Sequence, residues 1–161
     1  MHNLIIFSSK YGYTRECATK LASLLNQQTV LIDADKQEIP LPDSFSSIII
    51  GSSIYMGQIS SRITDFFTRN REKLAVKKIG LFLCCGRKAE FAANFGRVFP
   101  EWLVKNATAT ANFGGELRPE KMSFLHRLIT FFIQRAGSNP GDLSPIPEEI
   151  EKFAGKLNQH T

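Results

Sequence analysis

The sequence predicts an α/β fold: a doubly wound, five-stranded parallel sheet of order 2-1-3-4-5 with helices on both faces. Three observations carry this. Five short apolar runs punctuate the chain without the polar alternation of a half-solvated strand. Segments with apolar residues at three- and four-residue steps separate them, as strand–helix units require. A chain of 161 residues, 43% hydrophobic and 22% charged, suits one compact domain over 1–161, with no internal repeat, low-complexity tract or long linker.

In order, Leu4 to Ser8 reads as a buried strand, and Ala18, Leu21, Ala22 and Leu25 place a helix after it. Thr29 to Asp33 is the second strand; the turn-rich Pro40-Leu41-Pro42-Asp43 leads to the third, Ser47 to Gly51. Ser60 stands where an N-cap belongs, ahead of Ile63, Phe66 and Phe67 on one helical face. Lys78 to Cys85 is the fourth strand. One helix is expected through Phe91, Phe95, Val98, Phe99, Trp102 and Leu103. Ala107 to Phe113 is the fifth strand, and a last helix carries Ile146, Ile150, Phe153 and Leu157.

Composition excludes several classes. Cys17, Cys84 and Cys85 form neither a disulfide framework nor a metal-ligand spacing, so structural thiols and no metal are expected. Leu4 to Phe7 is too short for the core of a signal sequence, and no apolar run nears the roughly 18 residues that span a bilayer. A cytoplasmic chain is expected. The net charge of +5 is concentrated: Arg62 to Lys105 holds ten Lys/Arg against four Asp/Glu, leaving the rest at −1. That charge suits an acidic partner, but no nucleic-acid reading motif or basic aromatic stripe accompanies it, so no nucleic acid is expected.

In a sheet of this order, ligands bind beyond the carboxyl ends of the strands, where strands 1 and 3 diverge. Two loops therefore matter most, Ser8 to Thr14 and Ser52 to Gln58. In the first, Ser8, Ser9, Lys10, Tyr11, Gly12, Tyr13 and Thr14 crowd the start of a helix, whose N–H groups and dipole favour an anion. The hydroxyls of Ser9 and Thr14 are donors suited to phosphate, and Gly12 permits close backbone approach. A plainer reading has Thr14 capping the helix and Gly12 turning the chain. A Walker loop needs a GK[ST] ending and a dinucleotide fingerprint three spaced glycines; Gly12 stands alone. A phospho-acceptor domain on this topology needs carboxylates where the chain has Ser8-Ser9 and Ser52-Ser53.

The run Ile5 to Thr14, IIFSSKYGYT, resembles the phosphate loop of the flavodoxin family, in the spacing of Ser9, Gly12 and Thr14. Ile50-Gly51-Ser52-Ser53-Ile54-Tyr55-Met56-Gly57 resembles the loop that lines the isoalloxazine ring. The likeness extends over essentially the whole chain and implies a flavodoxin-like fold with FMN as cofactor, Cys85, Gly86 and Arg87 completing the site after strand 4. Within the family it most resembles the flavodoxin-like, menaquinone-dependent protoporphyrinogen dehydrogenases, through this loop and through FGGELR, Phe113 to Arg118, ahead of an apolar basic insertion at about 116–140. The resemblance implies an FMN-dependent oxidoreductase that takes electrons from an acidic tetrapyrrole and gives them to a quinone; the alternative is a non-catalytic carrier docking to a redox partner.

Two departures stand out. The segment Cys84 to Glu90 lacks both the stacking tyrosine and the acidic cluster of small carrier flavodoxins, and Arg87 or Lys88 beside the ring would favour its anionic reduced form. Ser123 to Arg135 is amphipathic with a wide apolar arc, Ser123, Arg127, Thr130 and Gln134 forming its polar edge. Three readings fit it: packing on the domain as core, a dimer interface, or peripheral contact with the inner face of a membrane. His126 on this segment has no cysteine or carboxylate placed beside it and reads as a polar-edge residue.

Overall fold

The structure, a computed structural model, describes residues 2–86, 88–115 and 147–159. The insertion at 116–140 with its helix 123–135, Ile146 and Arg87 lie outside the described residues. Five parallel strands form one sheet of order β2-β1-β3-β4-β5: β1 (Asn3–Ser8), β2 (Thr29–Asp33), β3 (Ser47–Ser53), β4 (Lys78–Cys84) and β5 (Ala107–Asn112). The helices are α1 (Tyr13–Leu24), α2 (Ser61–Arg69), α3 (Arg71–Ala75), α4 (Phe91–Val98), α5 (Glu101–Lys105) and α6 (Pro147–Gln159). The expected topology is the one observed.

Period-two alternation of the strands sorts the core into two layers. Leu4, Ile6, Ile48, Ile50, Ile79, Leu81 and Leu83 pack on one face with Ile63, Phe66, Phe67, Leu74, Phe95, Phe99 and Leu103 of α2 to α5 and their junctions. Ile5, Phe7, Ile49, Phe82, Ala109 and Ala111 pack on the other with Ala18 and Leu21 of α1 and Ile150, Phe153 and Leu157 of α6. Both faces are covered, which is why the central strands carry apolar residues at successive positions. Each buried Ile, Leu or Phe stabilises the fold by about 1.5–3 kcal/mol, so the layering rather than local propensity decides the architecture.

Two local expectations are corrected. The single helix through Phe91 to Leu103 is broken into α4 and α5, because Pro100 lacks an N–H and its ring drives the residue before it out of the helical region: Phe99 is extended, at φ −105° and ψ 128°. Ser60 occupies the N-cap position of α2, but its side chain caps nothing there and donates instead to Asp35 Oδ1 at 2.6 Å.

Beside the site, Gly51 of β3 pairs in register with Phe82 of β4. A Cβ on Gly51 would stand 1.9 Å from the Phe82 ring, so the glycine is the space that ring fills. Phe82 in turn stacks on Phe113 with centroids 4.5 Å apart and meets Phe153 edge-on at 6.2 Å. Gly51→Ala should destabilise the protein by about 1–3 kcal/mol in urea unfolding, the usual range for overpacking, and Phe82→Leu added to it should recover part of the loss. Additive losses in the double variant would show that the two sites do not share this space.

Candidate functional site

The first loop leaves the end of β1 and enters α1 through Gly12, whose φ of 95° a side chain would oppose. Ser9 organises the turn. Its Oγ accepts the N–H of Gly12 and the N–H of Arg15, both at 3.2 Å. A serine hydroxyl has two acceptor directions and one proton, so with both lone pairs engaged its O–H is left as a donor, beside the positive end of α1. Arg15 makes a charge-assisted bond to Asp33, a carboxylate only 2% exposed at the end of β2, and so anchors the start of the helix to the sheet.

The neighbouring hydroxyls serve other partners. Ser8 is buried and donates to Asp35 Oδ2 at 2.5 Å, and Thr14 is buried beside the Cys84 thiol. Burial, with the Cys17 thiol beside it, pushes the Cys84 thiol well up, so it stays protonated and unreactive. Tyr13 sends its hydroxyl to the carbonyl of Phe113 at 2.6 Å, tying α1 to the end of β5. Lys10 is exposed, and its Nζ lies 3.0 Å from the centre of the Tyr55 ring and 5.8 Å from that of Tyr11. A cation thus bridges the first loop to the third. Partial burial and the neighbouring Tyr55 phenol raise the Tyr11 pKa.

After β3, Ser52 is fully buried and donates to the carbonyl of Ser53 at 2.9 Å, while Ser53 and Ile54 are half-buried. Tyr55 to Gln58 close a two-residue turn through a reciprocal pair of backbone bonds, 2.9 and 3.0 Å long. Met56 and Gly57 at its tip have φ of 51° and 74°, the sign pattern of a type I′ turn. Glycine suits that conformation and methionine does not. Met56 is also 86% exposed and Tyr55 is 39% exposed, so an apolar, strained tip is held out at the mouth of the site.

After β4, Cys85 is buried and Gly86 half-buried, with Asn112 Oδ1 accepting the Cys85 N–H at 3.2 Å and the Gly114 N–H at 3.0 Å. Gly115 presses its backbone on Gly86, since a Cβ there would meet Gly86 N at 2.8 Å. Asn94 of α4, itself buried, donates to the Cys85 thiol at 3.7 Å. Between this loop and the Tyr55 turn opens a cavity of about 320 Å³, with Ile54, Met56 and Gly57 on one wall and Cys84, Cys85 and Gly86 on another. That volume lies within the roughly 300–1,000 Å³ of small-ligand sites. Its third wall is Glu90, Asn94 and Arg97, three residues that reading the sequence passed over. They recur at steps of four and three, Glu90 at the N-cap of α4 and Asn94 and Arg97 on the helix, and that polar stripe beside Phe91, Phe95 and Val98 was the available signal.

Replacing Met56 with Asn, which tolerates positive φ, should raise stability by about 0.5–1 kcal/mol, and Met56→Val should lower it, both read from urea midpoints. Loss of stability in the asparagine variant would mean that the turn holds no strain to relieve.

A family model described as Flavodoxin domain matches residues 4–144. Protoporphyrinogen IX dehydrogenase (quinone) of Escherichia coli strain K12 is 32% identical over 77 residues, a match covering 46% of this chain and 42% of that protein. The match therefore spans less than half the length of that relative. Among solved structures, Flavodoxin 2 from Bacillus cereus superposes with a TM-score of 0.65 at 20% identity, covering 100% of both chains. A Fusobacterium nucleatum flavodoxin bound to flavin mononucleotide does so with a TM-score of 0.58 at 13% identity, covering 99% of this chain and 98% of that one. At such identities these two likenesses speak for the fold. The family model spans most of the sequence, and on that match this chain belongs to the flavodoxin domain family.

Proposed function

We propose that the chain binds FMN beyond the carboxyl ends of β1, β3 and β4 and acts as an oxidoreductase of the protoporphyrinogen dehydrogenase type, moving electrons from an organic substrate to a quinone. One observation carries the cofactor reading: Ser9 accepts two backbone N–H groups and keeps its proton for a further acceptor, at a helix start where a phosphate is favoured. The donor set fits a phosphate held by neutral groups, and the cavity between the Tyr55 turn and Gly86 fits part of a flat ring. FMN, when bound, supplies the electron and hydride chemistry.

The chain's own residues supply binding and orientation. Ser9 and the start of α1 hold the phosphate end; Tyr55 and Met56 present an aromatic face and a thioether, groups that pack well on flat rings. Asn112 and Gly115 hold the Cys85–Gly86 backbone and Asn94 holds the Cys85 side chain through the bonds and close approach described above, so the wall facing the ring is set before it arrives. The partial match to the E. coli dehydrogenase supports an enzyme over a carrier.

Ser9→Ala should weaken FMN by about 1.5–3 kcal/mol, the range for a charge-assisted bond, and leave riboflavin nearly unchanged. Thr14→Ala should cost FMN less, because the Thr14 side chain is buried, 1% exposed, and so less accessible to a phosphate than Ser9. Equal losses for FMN and riboflavin in the Ser9 variant would point to collapse of the loop instead. For the reaction, the FMN-loaded protein should oxidise protoporphyrinogen IX anaerobically with a quinone acceptor. A loaded protein that leaves the porphyrinogen untouched yet reduces a soluble one-electron acceptor would be a carrier.

A further inference from the structure

From the cavity wall on α4 we infer that Arg97 is the charge that sets the redox poise of the site, favouring the reduced, anionic form of the ring over the oxidised one; this rests on the FMN reading above. Arg97 lines the cavity with Met56, Gly57 and Gly86, and its Nη1 lies 2.8 Å from where a Cβ on Gly57 would stand. The positive φ of the turn is what favours glycine at 57, and the guanidinium lies against it. The chain places a permanent cation on the tip of the loop that the ring must meet.

Among the described residues, no carboxylate is recorded within ion-pair distance of Arg97. Among the described residues that line the cavity Glu90 is the one acidic side chain, and Lys10 stands across the mouth on the Tyr55 ring. Two-electron reduction accompanied by one proton adds one negative charge to the ring. Arg97 is an exposed residue whose guanidinium reaches the cavity wall, and there it meets that charge with less screening than free in bulk water. Arginine stays charged across the working pH range, so the bias is constant.

The test measures the affinity of the apo-protein for oxidised FMN and, under dithionite, for reduced FMN, in Arg97→Gln, Arg97→Glu and Arg97→Lys. A residue that only supports the loop changes both affinities together. A residue that sets the poise changes their ratio. Arg97→Gln should lower the reduced-over-oxidised preference about tenfold, equivalent to a two-electron midpoint about 30 mV more negative, and Arg97→Glu should lower it further. Arg97→Lys should keep most of it, and high salt should shrink the wild-type preference. Oxidised FMN bound normally with a ratio unchanged in both the glutamine and glutamate variants would overturn the role of Arg97. Absence of FMN binding in the wild type would instead overturn the cofactor reading.

Discussion

β1 hydrogen-bonds to β2 on one edge and to β3 on the other, all parallel, and the remaining features of the site follow from that arrangement. Parallel neighbours need crossovers, and crossovers of one hand place α1 on one face of the sheet and α2 with α3 on the other. The chain leaving β1 and the chain leaving β3 therefore diverge. A helix start with its N–H groups is left on one side of the gap, and a turn free to project on the other. No side-chain chemistry was needed to make the opening; it was needed to line it.

The lining is held by long-range ties. Arg15 reaches Asp33, Tyr13 reaches Phe113, and Asn112 gathers the ends of β4 and β5, so each loop is fixed by a strand other than its own. Lys10 over Tyr55 joins the first and third loops without a hydrogen bond. Against this fixed background the Met56–Gly57 tip is strained and exposed, a combination that stability alone does not favour. The chain spends conformational energy at the place where a ligand would be met.

The sheet was legible in the sequence because burial on both faces turns the central strands into apolar runs, and five such runs with helical spacers leave few topologies. The Ser9–Gly12 turn was legible because glycine and small hydroxyls at a strand–helix junction have a local physical meaning. What escaped was decided by partners far along the chain. Nothing adjacent to Ser8 announces that Asp35 takes its hydroxyl, or near Thr14 that it is buried beside Cys84. Nothing near Ser60 shows that it prefers Asp35 to its own helix. The break at Pro100 was written in the sequence but hidden by apolar spacing that continued through it. Arg97 was hidden likewise, in a segment read for its aromatic face.

The opening between β1 and β3 is proposed to take a flavin by its phosphate. Calorimetric titration of the apo-protein with FMN and, separately, with riboflavin tests it most directly. Saturable binding of one FMN per chain, far tighter than that of riboflavin, is expected. Equal affinity for the two, or no binding of either, would contradict it.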